Sequence, residues 1–262
     1  MKKFTFGTPE KLVPSTYCKG FNYVETPVSY PESRFETRMT PRGFLIEFPI
    51  EDDAHIYGFG LQLKQFDQRG RKLRLAVNAD PTSANGDSHA PVPFFVTNKG
   101  YGMYFDTARY IEVYCGYKKH TGAVKADNGE SRVMTSTDEL YAVRESCGAV
   151  MSVLIPGAQG VDVYVFEGKK ITDIVSEYNM LSGGGADVPE WGLGVFYRCC
   201  GQYNQEQVLG MADYFRSHDL PCDILGLEPG WQSHAYSCSW AWSERFPEPE
   251  KMLRKLRGDG FH

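Results

Sequence analysis

One change of period constrains this chain more than any other feature. Up to about residue 170 the apolar residues come in short runs bounded by turn signals, with no helical spacing between them. Beyond that point, helical spacing alternates with short, glycine-containing apolar runs. A series of short strands with no intervening helix requires an antiparallel arrangement. Strand and helix in alternation require a parallel sheet. The chain therefore reads as two architectures in succession, β and then α/β.

In the first part, residues 44–50 read as a strand with Pro49 inside it. Proline cannot donate to a ladder, so this strand is expected at an edge or a bulge. Leu73, Leu75 and Val77 alternate with Arg74 and Ala76, which predicts one buried face. Further strands are predicted at 92–96, 102–105, 110–114, 141–144, 150–155 and 161–166. Asn98-Lys99-Gly100, Asp127-Asn128-Gly129, Pro156-Gly157 and Glu167-Gly168 mark the turns. There is no internal repeat and no low-complexity tract.

The second character begins with a helix over 171–181, its apolar residues at 171, 174, 175 and 178. Ser182-Gly183-Gly184-Gly185 reads as an interdomain linker. Residues 191–197 read as a strand. Asn204 can cap a helix, with Gln207 at the capping-box position and Val208, Met211, Ala212 and Phe215 as its buried stripe. A strand at 223–228 and a helix with Met252, Leu253 and Leu256 inward follow, ending at Gly258 or Gly260. The predicted domains are 1–185 and 186–262, and a third strand is expected to begin at His262.

Residues 221–249 concentrate the chemistry. An apolar run, Ile224 to Leu227 with Gly226, is too short for a helix and suits a buried parallel strand. Glu228 follows it. A loop carrying Trp231, Tyr236, Trp240 and Trp242 comes next. A carboxylate at the C-terminal end of a barrel strand, followed by an aromatic loop, is where barrel enzymes place substrate groups. Aromatic faces with carboxylates suit a sugar, which offers C–H faces and hydroxyl donors.

Composition narrows the function. With 42% hydrophobic residues, 16 Tyr, 16 Phe and 4 Trp there is ample material for a core. A net charge of −5 weighs against nucleic acid or an anionic membrane as partner. No run reaches the ~20 apolar residues of a spanning helix. The N-terminal stretch has two lysines and no apolar signal core, so a cytoplasmic location is expected, or a periplasmic or secreted one for a chain trimmed of its leader. Seven cysteines, with Cys199 and Cys200 adjacent, show no metal spacing and read as reduced, mostly buried thiols. No phosphate loop or dinucleotide fingerprint is present, so no cofactor and no metal are expected.

Several stretches then resemble, in order, those of glycoside hydrolase family 31, the α-glucosidase and α-xylosidase family. Ile56-Tyr57-Gly58-Phe59-Gly60 resembles its "YGxGE", Gln68-Arg69-Gly70 its "RRG", and Asn78-Ala79-Asp80 its "N-x-D". Pro93-Phe94-Phe95 with Gly100-Tyr101-Gly102 resembles "PFF…GYG", and residues 164–168 resemble "YxxxG". Residues 188–194 resemble "PPxWALG", 198–203 the "R…Y" after it, 220–224 "IPLDV", and 246–252 "FPDPxxM". The shared order runs over about residues 56–262. The resemblance implies a galactose-mutarotase-like β-sandwich before the first two βα units of a (β/α)8 barrel. It implies a retaining α-glycosidase acting on terminal α-linked sugars.

Three positions depart from the pattern. Leu61 replaces a Glu, Glu228-Pro229-Gly230-Trp231 replaces "DxDW/Y", and Ser243 stands where Asp is common. By the resemblance, Glu228 takes the place of the Asp that binds the terminal sugar. Its extra methylene puts the usual glucose preference in question. The family's nucleophile and acid/base follow barrel strands 4 and 6, beyond His262, so this chain is expected to be an inactive N-terminal part of such an enzyme.

The expected substrate-binding residues are Glu228, Trp231, Asp80, Trp240, Trp242 and Arg198. Each has a plainer reading. Glu228 could cap a backbone N–H, Asp80 could open a turn, the tryptophans could pack the barrel mouth, and Arg198 could be an ion-pair partner inside the barrel. Asp223, at the start of its strand, reads as structural, and His234 as a solvated loop residue. The alternative function is a noncatalytic carbohydrate-binding or assembly sandwich. Sandwich epimerases need a His and Glu pair, for which His55, His89 and His120 are candidates. The expected partner is a carbohydrate, with a homo-oligomer possible.

Overall fold

Two five-stranded antiparallel sheets make up the first part of the protein in the computed structural model. The structure describes residues 1–11, 24–79, 85–120, 137, 146–235 and 238–262, so the 141–144 strand, Asp80, Tyr236 and the side chain of His120 lie outside the described residues. The chain divides into two compact units, Met1–Gly185 and Ala186–His262.

The strands of the first unit are β1 (Lys2–Thr8), β2 (Glu36–Thr40), β3 (Gly43–Ile50), β4 (Ile56–Gly60) and β5 (Lys72–Leu75). They continue with β6 (Pro91–Thr97), β7 (Tyr101–Asp106), β8 (Ile111–His120), β9 (Ser146–Pro156) and β10 (Gln159–Glu167). One sheet runs β1-β10-β7-β6-β4 and the other β2-β3-β9-β8-β5. Their inner faces meet in one core of fully buried side chains that includes Ile46, Phe48, Phe95, Met103, Phe105, Val113, Met151, Val153 and Val163. Phe48 lies 6.2 Å from Phe95 and 6.3 Å from Phe105, so the aromatic layer crosses from sheet to sheet. This is the antiparallel sandwich that the run of short strands implies.

Helix α1 (Ile171–Leu181) covers the outer face of the first sheet. Ile174 is fully buried against it, and the Tyr178 ring stacks on Phe94 at 3.9 Å. This explains why β10 lacks clean alternation: Val161, Val163 and Val165 face the inter-sheet core, while Tyr164 and Phe166 face α1. Ile171 and Val175 sit at the margin, 37% and 43% exposed, so the helix seats fewer of its apolar residues than the spacing predicts.

In the first unit two strand expectations change. β3 is interior, between β2 and β9. Pro49 is tolerated because the β2 ladder ends at Glu36–Glu47, and Arg34 donates to Pro49 O at 3.3 Å in the space beyond it. Val77 does not extend the buried face of Leu73 and Leu75. β5 stops at Leu75, and Val77 is 79% exposed.

The second unit holds β11 (Phe196–Arg198), α2 (Gln205–Ser217), β12 (Ile224–Gly226) and α3 (Pro249–Gly258). β11 and β12 pair in parallel, Phe196 opposite Ile224 and Arg198 opposite Gly226. Asn204 caps α2 reciprocally: Gln207 N donates to Asn204 Oδ1 and Asn204 N donates to Gln207 Oε1, both at 2.9 Å. Val208 and Ala212 from α2, Met252 and Leu256 from α3, and Cys199, Cys222, Phe246 and Phe261 form the core of this unit. Leu253 is 43% exposed rather than inward.

The first strand is shorter than 191–197. Residues Glu190–Leu193 form a 3-10 turn, because Pro189 and Gly194 bound a segment too short to reach the ladder. At the far edge of β12, His262 N donates to Asp223 O at 2.8 Å and Leu225 N donates to His262 O at 3.0 Å. Those two bonds have the pattern of a parallel ladder step. The unit is a β-α-β-α arrangement on a parallel strand pair. Among the described residues no helix is long and apolar enough to cross a membrane.

Candidate functional site

The C-terminal ends of β11 and β12 carry the two charged groups that the sequence singles out. Arg198 closes β11, and Glu228 follows β12 by two residues. Parallel pairing sets Arg198 beside Gly226, and the Arg198 Nε–H donates to Glu228 Oε1. The Glu228 side chain is 19% exposed and that of Arg198 is 70% exposed. The carboxylate is thus largely covered, with one oxygen bound to Arg198, while the guanidinium reaches solvent. Arg198 has its ion-pair partner, and that partner is Glu228.

Past Glu228, Pro229–Trp231 forms a 3-10 turn. The loop after it folds back on itself: Ser243 N donates to Trp231 O and Ser233 N to Ala241 O, both at 2.8 Å, and Gln232 bridges Trp242. Trp231 and Trp242 stand at the base of this hairpin, 4.8 Å apart, and both pack on the core of the unit. Trp242 also meets Phe246 at 5.5 Å. Trp240 differs. It is 78% exposed, 6.3 Å from Trp231, and holds a left-handed backbone with φ 54°. For a bulky residue this is an outlier that only surrounding constraint maintains. Of the three tryptophans, two are packed and one presents its face outward. His234 is exposed in the same loop.

Sequence reasoning missed Arg245. Its Nη1 donates to Gly201 O at 3.1 Å and its Nη2 to Gly230 O at 2.6 Å. Gly201 lies in the loop after β11 and Gly230 in the loop after β12, 44 and 15 residues from Arg245. A lone arginine before Phe246-Pro247 carries no periodic signal, so no local pattern could have found it.

The remaining titratable groups offer little chemistry. Burial pushes the Cys199 and Cys222 thiols up, and that of Cys115 up to about 12, so none of these is a ready nucleophile. Among the described residues three cysteines, Cys115, Cys199 and Cys222, are buried, while Cys200 and Cys238 are exposed. His55 Nδ1 and Asp67 Oδ2 lie 2.6 Å apart, and the His89 ring contacts Ala79 O. No group of three or more His, Cys, Asp or Glu among the described residues could hold a metal.

Comparison with known proteins adds two family matches. A model described as the glycosyl hydrolase 31 N-terminal galactose mutarotase-like domain matches residues 16–113, and one described as the glycosyl hydrolases family 31 TIM-barrel domain matches residues 186–262. The chain is 24% identical over 211 residues to α-xylosidase XylQ of Lactiplantibacillus pentosus, covering 79% of this chain and 24% of that one. It is 25% identical over 229 residues to α-glucosidase 2 of Bacillus thermoamyloliquefaciens, covering 84% of this chain and 25% of that one. In fold it is similar to the GH31 dextranase of Flavobacterium johnsoniae complexed with isomaltotriose. The TM-score is 0.66 at 22% identity, over 88% of this chain and 25% of that one. The chain spans about a quarter of the length of the curated relatives it matches.

Proposed function

The chain belongs to glycoside hydrolase family 31, and from that membership we propose that it supplies the sandwich and first two βα units of a retaining α-glycosidase. Its substrates are terminal α-linked sugars of oligosaccharides or glycosides. The observation that carries this reading is the Arg198–Glu228 ion pair at the C-terminal ends of two parallel strands. That end of a (β/α)8 barrel is where barrel enzymes bind substrate.

In this reading Glu228 accepts hydrogen bonds from sugar hydroxyls. Arg198 pairs with the carboxylate and occupies one of its oxygens, leaving the other to the sugar. Trp240 offers an exposed aromatic face to the sugar C–H groups, and Trp231 and Trp242 hold the base of its loop. Retention needs two carboxyl groups about 5 Å apart across the scissile bond. In this proposal both come from later barrel strands, and the residues here bind and orient the terminal sugar.

The test is ligand-detected NMR on the 262-residue chain with methyl α-glucoside and methyl α-xyloside. Saturation transfer to the sugar is expected from the parent chain and is lost in Glu228→Ala. Equal transfer in both chains removes Glu228 from the site.

A further inference from the structure

Arg198 and Glu228 sit on different strands, and each is followed by an irregular loop. The ladder ends at Arg198 and Gly226, so main-chain pairing between the strands does not extend to Glu228. The separation of the two strand-end loops must therefore be set by something else.

Arg245 joins them. One guanidinium donates to the main-chain carbonyl of Gly201, three residues after Arg198, and to that of Gly230, two residues after Glu228. The fork of an arginine suits this task, since its N–H groups diverge from one rigid plane. The Arg245 backbone is fixed as well. Gln205 N, at the first residue of α2, donates to Arg245 O at 3.0 Å, and Gln205 Oε1 accepts from Glu248 N at 2.9 Å. Ser243 Oγ adds a long contact to Gly230 O at 3.4 Å. Both glycines are close to the groups they serve. A Cβ at Gly230 would lie 2.6 Å from Arg245 Nη2, and one at Gly201 would lie 3.5 Å from the Glu228 Cβ. The loop after β11 thus packs against the Glu228 stem itself.

We propose that Arg245 is a positioning residue. By clamping the carbonyls of Gly201 and Gly230 it holds the loops after β11 and β12 at the separation at which Arg198 and Glu228 pair. The inference rests on the reading of that pair as the sugar-binding group. Arg245 touches no substrate in this scheme. It acts through the two loops, on the orientation of the Glu228 carboxylate. A lysine cannot replace it, because a single ammonium lacks the planar fork that reaches two carbonyls at fixed angles.

The experiment reads the Arg198 Nε–H resonance by 15N NMR in the 262-residue chain. In the parent this proton is held by Glu228 and is expected to exchange more slowly than that of an unpaired guanidinium. Glu228→Gln identifies the signal by shifting it. Arg245→Lys is expected to accelerate Arg198 Nε–H exchange about tenfold, and Arg245→Met more than that. The Nε–H of Arg216, which donates to Asp259 O at 2.7 Å in the same unit, stays unchanged and reports that the unit is folded. An Arg198 signal with parental exchange in Arg245→Lys and Arg245→Met overturns the proposal. So does simultaneous loss of the Arg198 and Arg216 signals in both variants, because Arg245 then supports the fold at large. The sugar reading is tested apart from this, by saturation transfer in Glu228→Gln. If that variant binds glycoside like the parent while Arg245→Lys still frees Arg198, the clamp stands and the sugar-binding role of Glu228 falls.

Discussion

Asp223 and Val195 exchange hydrogen bonds at the start of the two-strand sheet. Val195 N donates to Asp223 Oδ2 at 2.8 Å, and Asp223 N donates to Val195 O at 2.9 Å. The pair stands at the opposite end of β11 and β12 from Arg198 and Glu228. One sheet therefore has a carboxylate at each end, one tied to main chain and the other to a guanidinium. This matches the division in barrels between a stability face and a substrate face.

Asp223→Ala is expected to destabilise the second unit. The lost bond joins a charged acceptor to a main-chain donor in a partly exposed place, so the cost is about 1 kcal/mol. Amide exchange at Val195 should rise about fivefold. The Arg198 Nε–H signal should not move. Unchanged exchange at Val195 shows that the side-chain bond adds nothing to the ladder.

The 262-residue chain is expected to release no nitrophenol from aryl α-glycosides above background. In the proposed mechanism the nucleophile and the acid/base both come from later barrel strands. A burst of product with a trapped glycosyl-enzyme contradicts this.

In an enzyme carrying these residues within a complete barrel, Glu228→Ala should lower kcat/KM more than tenfold. A hydrogen bond to a charged group is worth about 1.5–3 kcal/mol, or roughly 10- to 150-fold, and sugar-hydroxyl contacts strengthen in the transition state. Glu228→Asp should change the ratio of glucoside to xyloside activity rather than abolish both. Steady-state kinetics within twofold of the parent in Glu228→Ala count against the role.

The sandwich should lose stability in acid through Glu167. Ser29 N, Ser29 Oγ and Tyr30 N donate to its carboxylate at 2.7–2.8 Å. Burial by itself pushes this carboxyl up, but those donors and the amino terminus hold it below the ordinary glutamate value. The folded state thus binds the proton less readily than the unfolded chain. The stabilisation is complete above the unfolded glutamate pKa and disappears as pH falls through the folded one. Thermal unfolding followed from about pH 6 to about pH 3 should show a steeper loss in the parent than in Glu167→Gln. Parallel curves exclude Glu167 as a contributor.

Limited proteolysis should open the chain near 183–185 or in the 232–243 loop and leave a resistant sandwich. Apolar residues in and before β11 are open to solvent, Phe196 at its start being 55% and Leu193 ahead of it 79% exposed. A two-strand parallel sheet also keeps edges that a closed barrel abolishes. Equal resistance of 189–262 in a monomeric sample contradicts this.

The sequence by itself determined what depends on neighbours along the chain. The positions of β6, β7 and β10, parts of β8 and β9, the bounds of α1, the Asn204–Gln207 cap and the switch from β to βα were legible there. Each is encoded by period, by turn residues or by a capping pair a few residues apart. The ordered family motifs were legible as well.

Tertiary structure decided the rest. The orders β1-β10-β7-β6-β4 and β2-β3-β9-β8-β5 pair strands far apart in sequence, so no local pattern contains them. Val77 alternates correctly and still lies outside, because β5 ends before it and a strand is buried only where a partner covers it. Residues 191–193 are apolar yet turn, since only 196–198 find a ladder. Arg198 and Glu228 were each visible as charged residues after apolar runs. That they neutralise one another, and that Arg245 reaches the two loops beside them, depends on a parallel register joining segments 30 and 44 residues apart.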